Sequence, residues 1–132
     1  MNLSQINKKY PSHKSCIEYI EEVRWQGTPI CPYCGAKNAT PVIKELRYHC
    51  NNCHTSFSVT VDTPFHRTRI ELQKWFVAVY QVVMGEVKSG RQLSKDIGVT
   101  KDTGMLMLKR LNKAIIEQPD FLNELATFKR KK

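Results

Sequence analysis

The sequence predicts an α+β fold: an N-terminal helix and a small three-stranded sheet built around cysteines, followed by an all-α region. Three observations predict it. Two Cys-x-x-Cys pairs, "CPYCG" at 31–35 and "CNNC" at 50–53, stand fifteen residues apart. Around them apolar and polar residues alternate with the period of two that belongs to strands. From Leu72 onward the apolar residues recur instead at the 3.6-residue period of helices.

The chain has 132 residues, 41% of them apolar, enough for packed cores in one ordinary domain or two small ones. The expected division is 1–63 for the first helix and sheet, and 64–132 for the helical region with its basic tail. In "SCIEYIEEVRW" the residues Cys16, Ile17, Ile20 and Val23 fall on one helical face. Cys16 is therefore expected as a small buried hydrophobe, and Ile20, Val23 and Trp25 as the face packed on the sheet.

Two tight Cys-x-x-Cys turns at this spacing can bring four thiolates to the corners of one tetrahedron, which is the donor set of structural Zn²⁺. The predicted ligands are Cys31, Cys34, Cys50 and Cys53. Pro32 presets the first turn, and Gly35 permits the left-handed conformation that closes it. The second turn departs from that pattern, with His54 where Gly would sit. Three other uses of the cysteines compete with this one. Disulfides require an oxidising compartment that the N-terminus does not suggest. A glutaredoxin-like redox turn requires a helix that "GAKNATP" does not provide, and leaves Cys50 and Cys53 unexplained. Substitution of one ligand by His49 or His54 is chemically competent but not needed. Leu46 and Tyr48 alternate with Arg47 and His49, and Phe57, Val59 and Val61 continue the alternation. The segment reads as a three-stranded antiparallel zinc ribbon, with zinc supplying most of its folding free energy.

In the helical region, Thr68 and Glu71 match a capping box, and Leu72, Trp75, Phe76, Val79 and Val83 form one buried face. Ser89 and Gln92 match a second box. Then Leu93, Ile97 and Val99, the turn residue Gly98 and the capping Thr100 give a helix-turn-helix pattern. Gly104, Met107, Leu108, Leu111 and Ile115 are expected inward, with Gly104 allowing close approach of the two helices.

Lys plus Arg number 21 against 12 Asp plus Glu, a formal charge of +9, which favours a strongly anionic partner, nucleic acid ahead of a membrane surface. From residue 60 onward 14 cationic residues face 8 acidic ones, a surplus of 6 in the half that carries the motif. A major-groove helix would place Thr100, Lys101, Asp102 and Met105 near base edges. Lys95, Lys109, Arg110 and Lys113 would meet phosphates, with Arg91 a further DNA-binding residue, assisted from the ribbon by Lys37, Lys44 and Arg47. The tail "KRKK" at 129–132 adds a nonspecific cationic end. The longest apolar run, "WFVAVY" at 75–80, is too short to span a bilayer, and no secretion signal opens the chain, so a cytoplasmic location is expected.

Taken in order, "CIEYIEEVRWQGTPICPYCG", "YHCNNCHTSFSVTVDTPF", "LQKWFVAVYQVV" and "SGRQLSKDIGVTKDTGMLMLKRLNKAI" resemble the N-terminal region of bacterial insertion-sequence transposases of the DDE type. The resemblance runs from about residue 12 to 117. It implies Zn²⁺ on Cys31, Cys34, Cys50 and Cys53, a helix-turn-helix over 91–115, and double-stranded DNA as partner, nucleoid-associated when bound. A second copy of the chain or a catalytic partner protein is the further partner it suggests. In that family a carboxylate-bearing catalytic domain follows. "QPDFLNELATFKRKK" cannot form one, so this chain is expected not to be an enzyme. The competing expectation is a zinc-ribbon adaptor for protein partners or a transcription regulator.

Overall fold

The computed structural model describes residues 2–66, 68–86 and 89–128. Six helices and one small sheet follow in the order α1 (Leu3–Lys9), α2 (His13–Trp25), β1 (Ala39–Val42), β2 (Arg47–Cys50), β3 (Ser56–Phe57), α3 (Leu72–Val83), α4 (Gly90–Ile97), α5 (Lys101–Glu117) and α6 (Pro119–Leu125). The α+β architecture is the expected one, a zinc ribbon followed by helices. Two short helices were not foreseen. α1 is closed by a reciprocal capping box in which the Asn2 side chain accepts from Gln5 N–H and the Gln5 side chain accepts from Asn2 N–H. α6 starts with Pro119 in its first turn, where the missing N–H costs nothing.

The sheet is antiparallel in the order β1-β2-β3, with Tyr48 opposite both Pro41 and Phe57. A single 3₁₀ turn, Ile43–Glu45, and a left-handed Leu46 reverse the chain between β1 and β2. β3 ends at Phe57, shorter than expected. Val59 and Val61 are buried as the alternation requires, but as part of a turn-rich connector. In place of a sheet ladder, their carbonyls accept from the Arg24 guanidinium of α2, at 2.7 and 2.5 Å.

One contiguous apolar cluster runs from Ile6 to Phe128 among the described residues. At its centre, the rings of Tyr10 (from the end of α1), Tyr19 (α2), Phe76 (α3) and Phe128 (after α6) stack and tilt with centroids 5.0–6.1 Å apart. The Phe128 carbonyl accepts from Lys9 Nζ and from Tyr10 OH, so both ends of the described chain close on the same core. Cys16 is fully buried there, as expected. The box expected from Thr68 and Glu71 does not form. Glu71 precedes α3 without a side-chain cap, and Thr68 Oγ1 accepts instead from Ile70 N–H and from the indole N–H of Trp75. Ser89 does cap α4, by accepting from Gln92 N–H, but the Gln92 side chain turns to Asp96 and leaves that box half formed.

Candidate metal centre

The two cysteine turns have the same backbone plan. In the first, Cys31 N–H donates to Ala36 C=O at 3.0 Å and Gly35 N–H to Cys31 C=O at 2.9 Å; in the second, Cys50 N–H donates to Thr55 C=O at 3.0 Å and His54 N–H to Cys50 C=O at 2.9 Å. Closing each turn needs a left-handed residue, which is Gly35 at φ +75° and His54 at φ +61°. His54 therefore does the work of a glycine, at a steric cost of about 1–2 kcal/mol.

These turns bring the four sulfurs together. Sγ of Cys31 lies 3.7 Å from that of Cys53, Sγ of Cys34 lies 3.5 Å from that of Cys50, and all four fall within 4.8 Å of one another. A tetrahedral zinc with bonds of about 2.3 Å has S···S edges of about 3.8 Å, so the donor set fits Zn²⁺ and is too open for disulfides. Neither His49 nor His54 joins the ligand group among the described residues. Residues 31–38 contain no helix, so the redox turn lacks its supporting element.

Residues 11–56 match the family model of the transposase zinc-ribbon domain. The front of this chain is thus similar to the zinc ribbons of transposases. Over 114 residues the chain is also 29% identical to a Halobacterium salinarum protein described as an uncharacterized protein in transposable element ISH50, an alignment covering 82% of this chain and 37% of the relative. The chain thus spans little more than a third of that relative's length. No solved structure matches it.

The ribbon's sulfurs differ in environment. Burial pushes the Cys31 thiol up to about 11. The side-chain amide of Asn52, 3.5 Å from Cys34 Sγ, helps pull that thiol down to about 6. The Thr55 hydroxyl lowers Cys53. Donors aimed at sulfur offset the charge of a four-thiolate site, about −2 with zinc in place. Asn51 ties the two turns together: its N–H donates to Asn38 C=O at 2.9 Å and its side chain donates to Asn38 Oδ1 and Thr40 Oγ1. Sequence reasoning passed over Asn51 and Asn52. The signal available was their type, since asparagine in a turn bonds nearby backbone and side chains. The ribbon's aromatics Tyr48 and Phe57 stack, and Trp25 at the end of α2 meets both edge-on at 5.4 and 5.8 Å, so the expected helix–ribbon contact centres on Trp25.

Farther along, α4 and α5 meet across a left-handed Gly98 and the cap residue Thr100, which accepts from Thr103 N–H. Gly104, Met107, Leu111 and Ala114 face inward, while Leu108 and Ile115, expected with them, lie at the half-buried margin. Asp102, Met105, Lys109 and Lys113 are exposed and fall at i, i+3, i+7 and i+11, one face of α5, with Lys101 beside them. Arg91 and Lys95 are exposed on α4. Lys113 also approaches Glu117, at 3.9 Å. Arg110 is set apart: about 100° round the helix from Lys109, it donates from Nη1 to His66 C=O at 3.3 Å. Lys37, Lys44 and Arg47 are exposed on the ribbon, and residues 129–132 lie outside the described residues. No helix of the described residues is long and apolar enough to cross a membrane.

Proposed function

We propose that this chain is the zinc-dependent DNA-binding module of a transposase-like protein, and that it reads duplex DNA with the helix-turn-helix formed by α4 and α5. The observation that carries the reading is the exposed face of α5. It presents Lys101, Asp102, Met105, Lys109 and Lys113 behind a capped N-terminus, beside Arg91 and Lys95, in a chain of charge +9. An exposed helix with polar and cationic residues along one side fits a major groove. Its first turn, with Thr100, Lys101, Asp102 and Met105, meets base edges, and Arg91, Lys95, Lys109 and Lys113 meet phosphates. The transposase-type ribbon and the relative in a transposable element support the same class of partner. In this reading the chain itself neither cuts nor joins DNA.

Binding through about six phosphates predicts that log K falls with log salt at a slope of about −5. Fluorescence anisotropy of a labelled duplex, titrated at several salt concentrations, measures it. A flat response sinks the proposal. It would favour the second reading, a protein-interaction adaptor, for which the exposed Tyr33 and Ile43 of the ribbon speak.

A further inference from the structure

The segment 58–66 between ribbon and helices makes little regular structure, so its carbonyls need partners. They find them on both sides. From α2, Arg24 donates to the carbonyls of Val59 and Val61 at 2.7 and 2.5 Å. From the far end of α5, Gln118 Nε2 donates to Asp62 C=O at 2.7 Å, and Arg110 Nη1 donates to His66 C=O at 3.3 Å. Asp62 itself is left-handed, with φ +62°, which turns its carbonyl toward Gln118. Internal bonds stiffen the strap: Val61 N–H to Ser58 C=O, Thr63 N–H to Thr60 C=O, Phe65 N–H to Thr63 Oγ1, and His66 N–H to Thr63 C=O. Arg110 and Gln118 lie eight residues apart, just over two turns, so they grip the strap at two separated points.

We propose that residues 58–66 form a coupling strap that fixes the direction of α5 relative to the zinc ribbon, and that Arg110 and Gln118 are positioning residues for DNA binding rather than DNA contacts. The strap and its bonds are independent of what α5 binds; only the consequence for affinity rests on the DNA-binding reading above. A bifunctional interface, with ribbon cations and the α5 face engaging one duplex, needs a fixed angle between them. Two hydrogen bonds from long side chains to an irregular segment supply it without using the face that meets the groove.

The test uses the full zinc-loaded chain and compares wild type with Arg110→Gln and Gln118→Ala. Two quantities are read: amide exchange at Val61, Thr63, Phe65 and His66 in the free protein, and the salt dependence of duplex binding. Both variants should raise exchange at these amides about tenfold, the effect of losing one hydrogen bond of ordinary to charge-assisted strength. Each should weaken DNA binding while leaving the log K against log salt slope unchanged. An Arg110→Gln slope shallower by about 0.9 means that Arg110 was neutralising a phosphate, and overturns the positioning role. Unchanged exchange in both variants overturns the strap itself. If wild type binds no duplex at all, the DNA-binding reading fails, and the exchange measurement alone still decides the strap.

Discussion

Between Thr28 and Ser58 only Cys31, Cys50 and Phe57 are buried, and two of those three are metal ligands, whereas α3 alone buries seven residues in twelve. The ribbon's third strand is two residues long. A sheet of that size, covered on one side by Trp25, Tyr48 and Phe57, cannot offset its own chain entropy by apolar burial. The helical part has Trp75, Phe76, Leu93, Met107, Leu111 and Leu122 fully buried, and can. The contrast teaches that one chain can divide its stability between two kinds of bond: metal–sulfur at the front, dispersion and exclusion of water behind. The shared seam is aromatic, through α2, which sends Trp25 to the ribbon and Tyr19 to the helical core.

The sharpest way to break that contrast is to remove the metal. Chelation, or Cys50→Ser, should abolish ribbon order, since structural zinc is worth on the order of 10 kcal/mol or more in apparent terms. Amide exchange separates the regions: the protected N–H groups of Gly35, Cys50 and His54 should lose protection while those of Phe76 to Val79 keep theirs. Simultaneous loss of protection everywhere would mean that the two parts fold as one cooperative unit and that the division of labour is wrong.

A smaller effect tests the helical side. An added Cβ at Gly104 would stand 2.5 Å from Gly90 O and 2.8 Å from Ser94 Cβ. Alanine is better than glycine in a helix by about 1 kcal/mol, but overpacking costs about 1–3 kcal/mol. The carbonyl is backbone within α4 and cannot swing aside, so the clash should win. Gly104→Ala should lower the urea midpoint with an unchanged m-value and leave zinc content intact. A stabilised variant would show that α4 and α5 lie farther apart than described.

Much of this was legible in the sequence, and the misses share a physical cause. The four ligands, the buried faces of α2 and α3, and the close approach at Gly104 all follow from fixed spacings, because spacing is set by backbone geometry. The fates of individual polar side chains were less legible. Thr68 left a cap to serve the Trp75 indole, and Gln92 left one for Asp96. Each choice depends on a carbonyl or ring that only tertiary packing brings near. α1 is the exception: the Asn2–Gln5 box was readable, and it was missed because so short a segment has little apolar periodicity of its own.

The mildest test returns to the seam. Tyr19 OH donates to Leu125 C=O at 2.7 Å from within the core, and burial pushes its phenol up to about 12, against 10.0 when unperturbed. The folded state therefore favours the protonated ring. The stabilisation is complete below pH 10 and disappears as pH climbs from 10 toward 12. Tyr19→Phe should cost about 1 kcal/mol at neutral pH, through the loss of one of the two hydrogen bonds to the Leu125 carbonyl, which keeps the Phe128 N–H at 3.1 Å. It should also flatten the loss of helical stability between pH 10 and 12, measured by urea unfolding followed at 222 nm. An alkaline stability profile identical in Tyr19→Phe and wild type would show that the phenol is solvated in solution, and that the seam between the two regions is looser than its ring stacking implies.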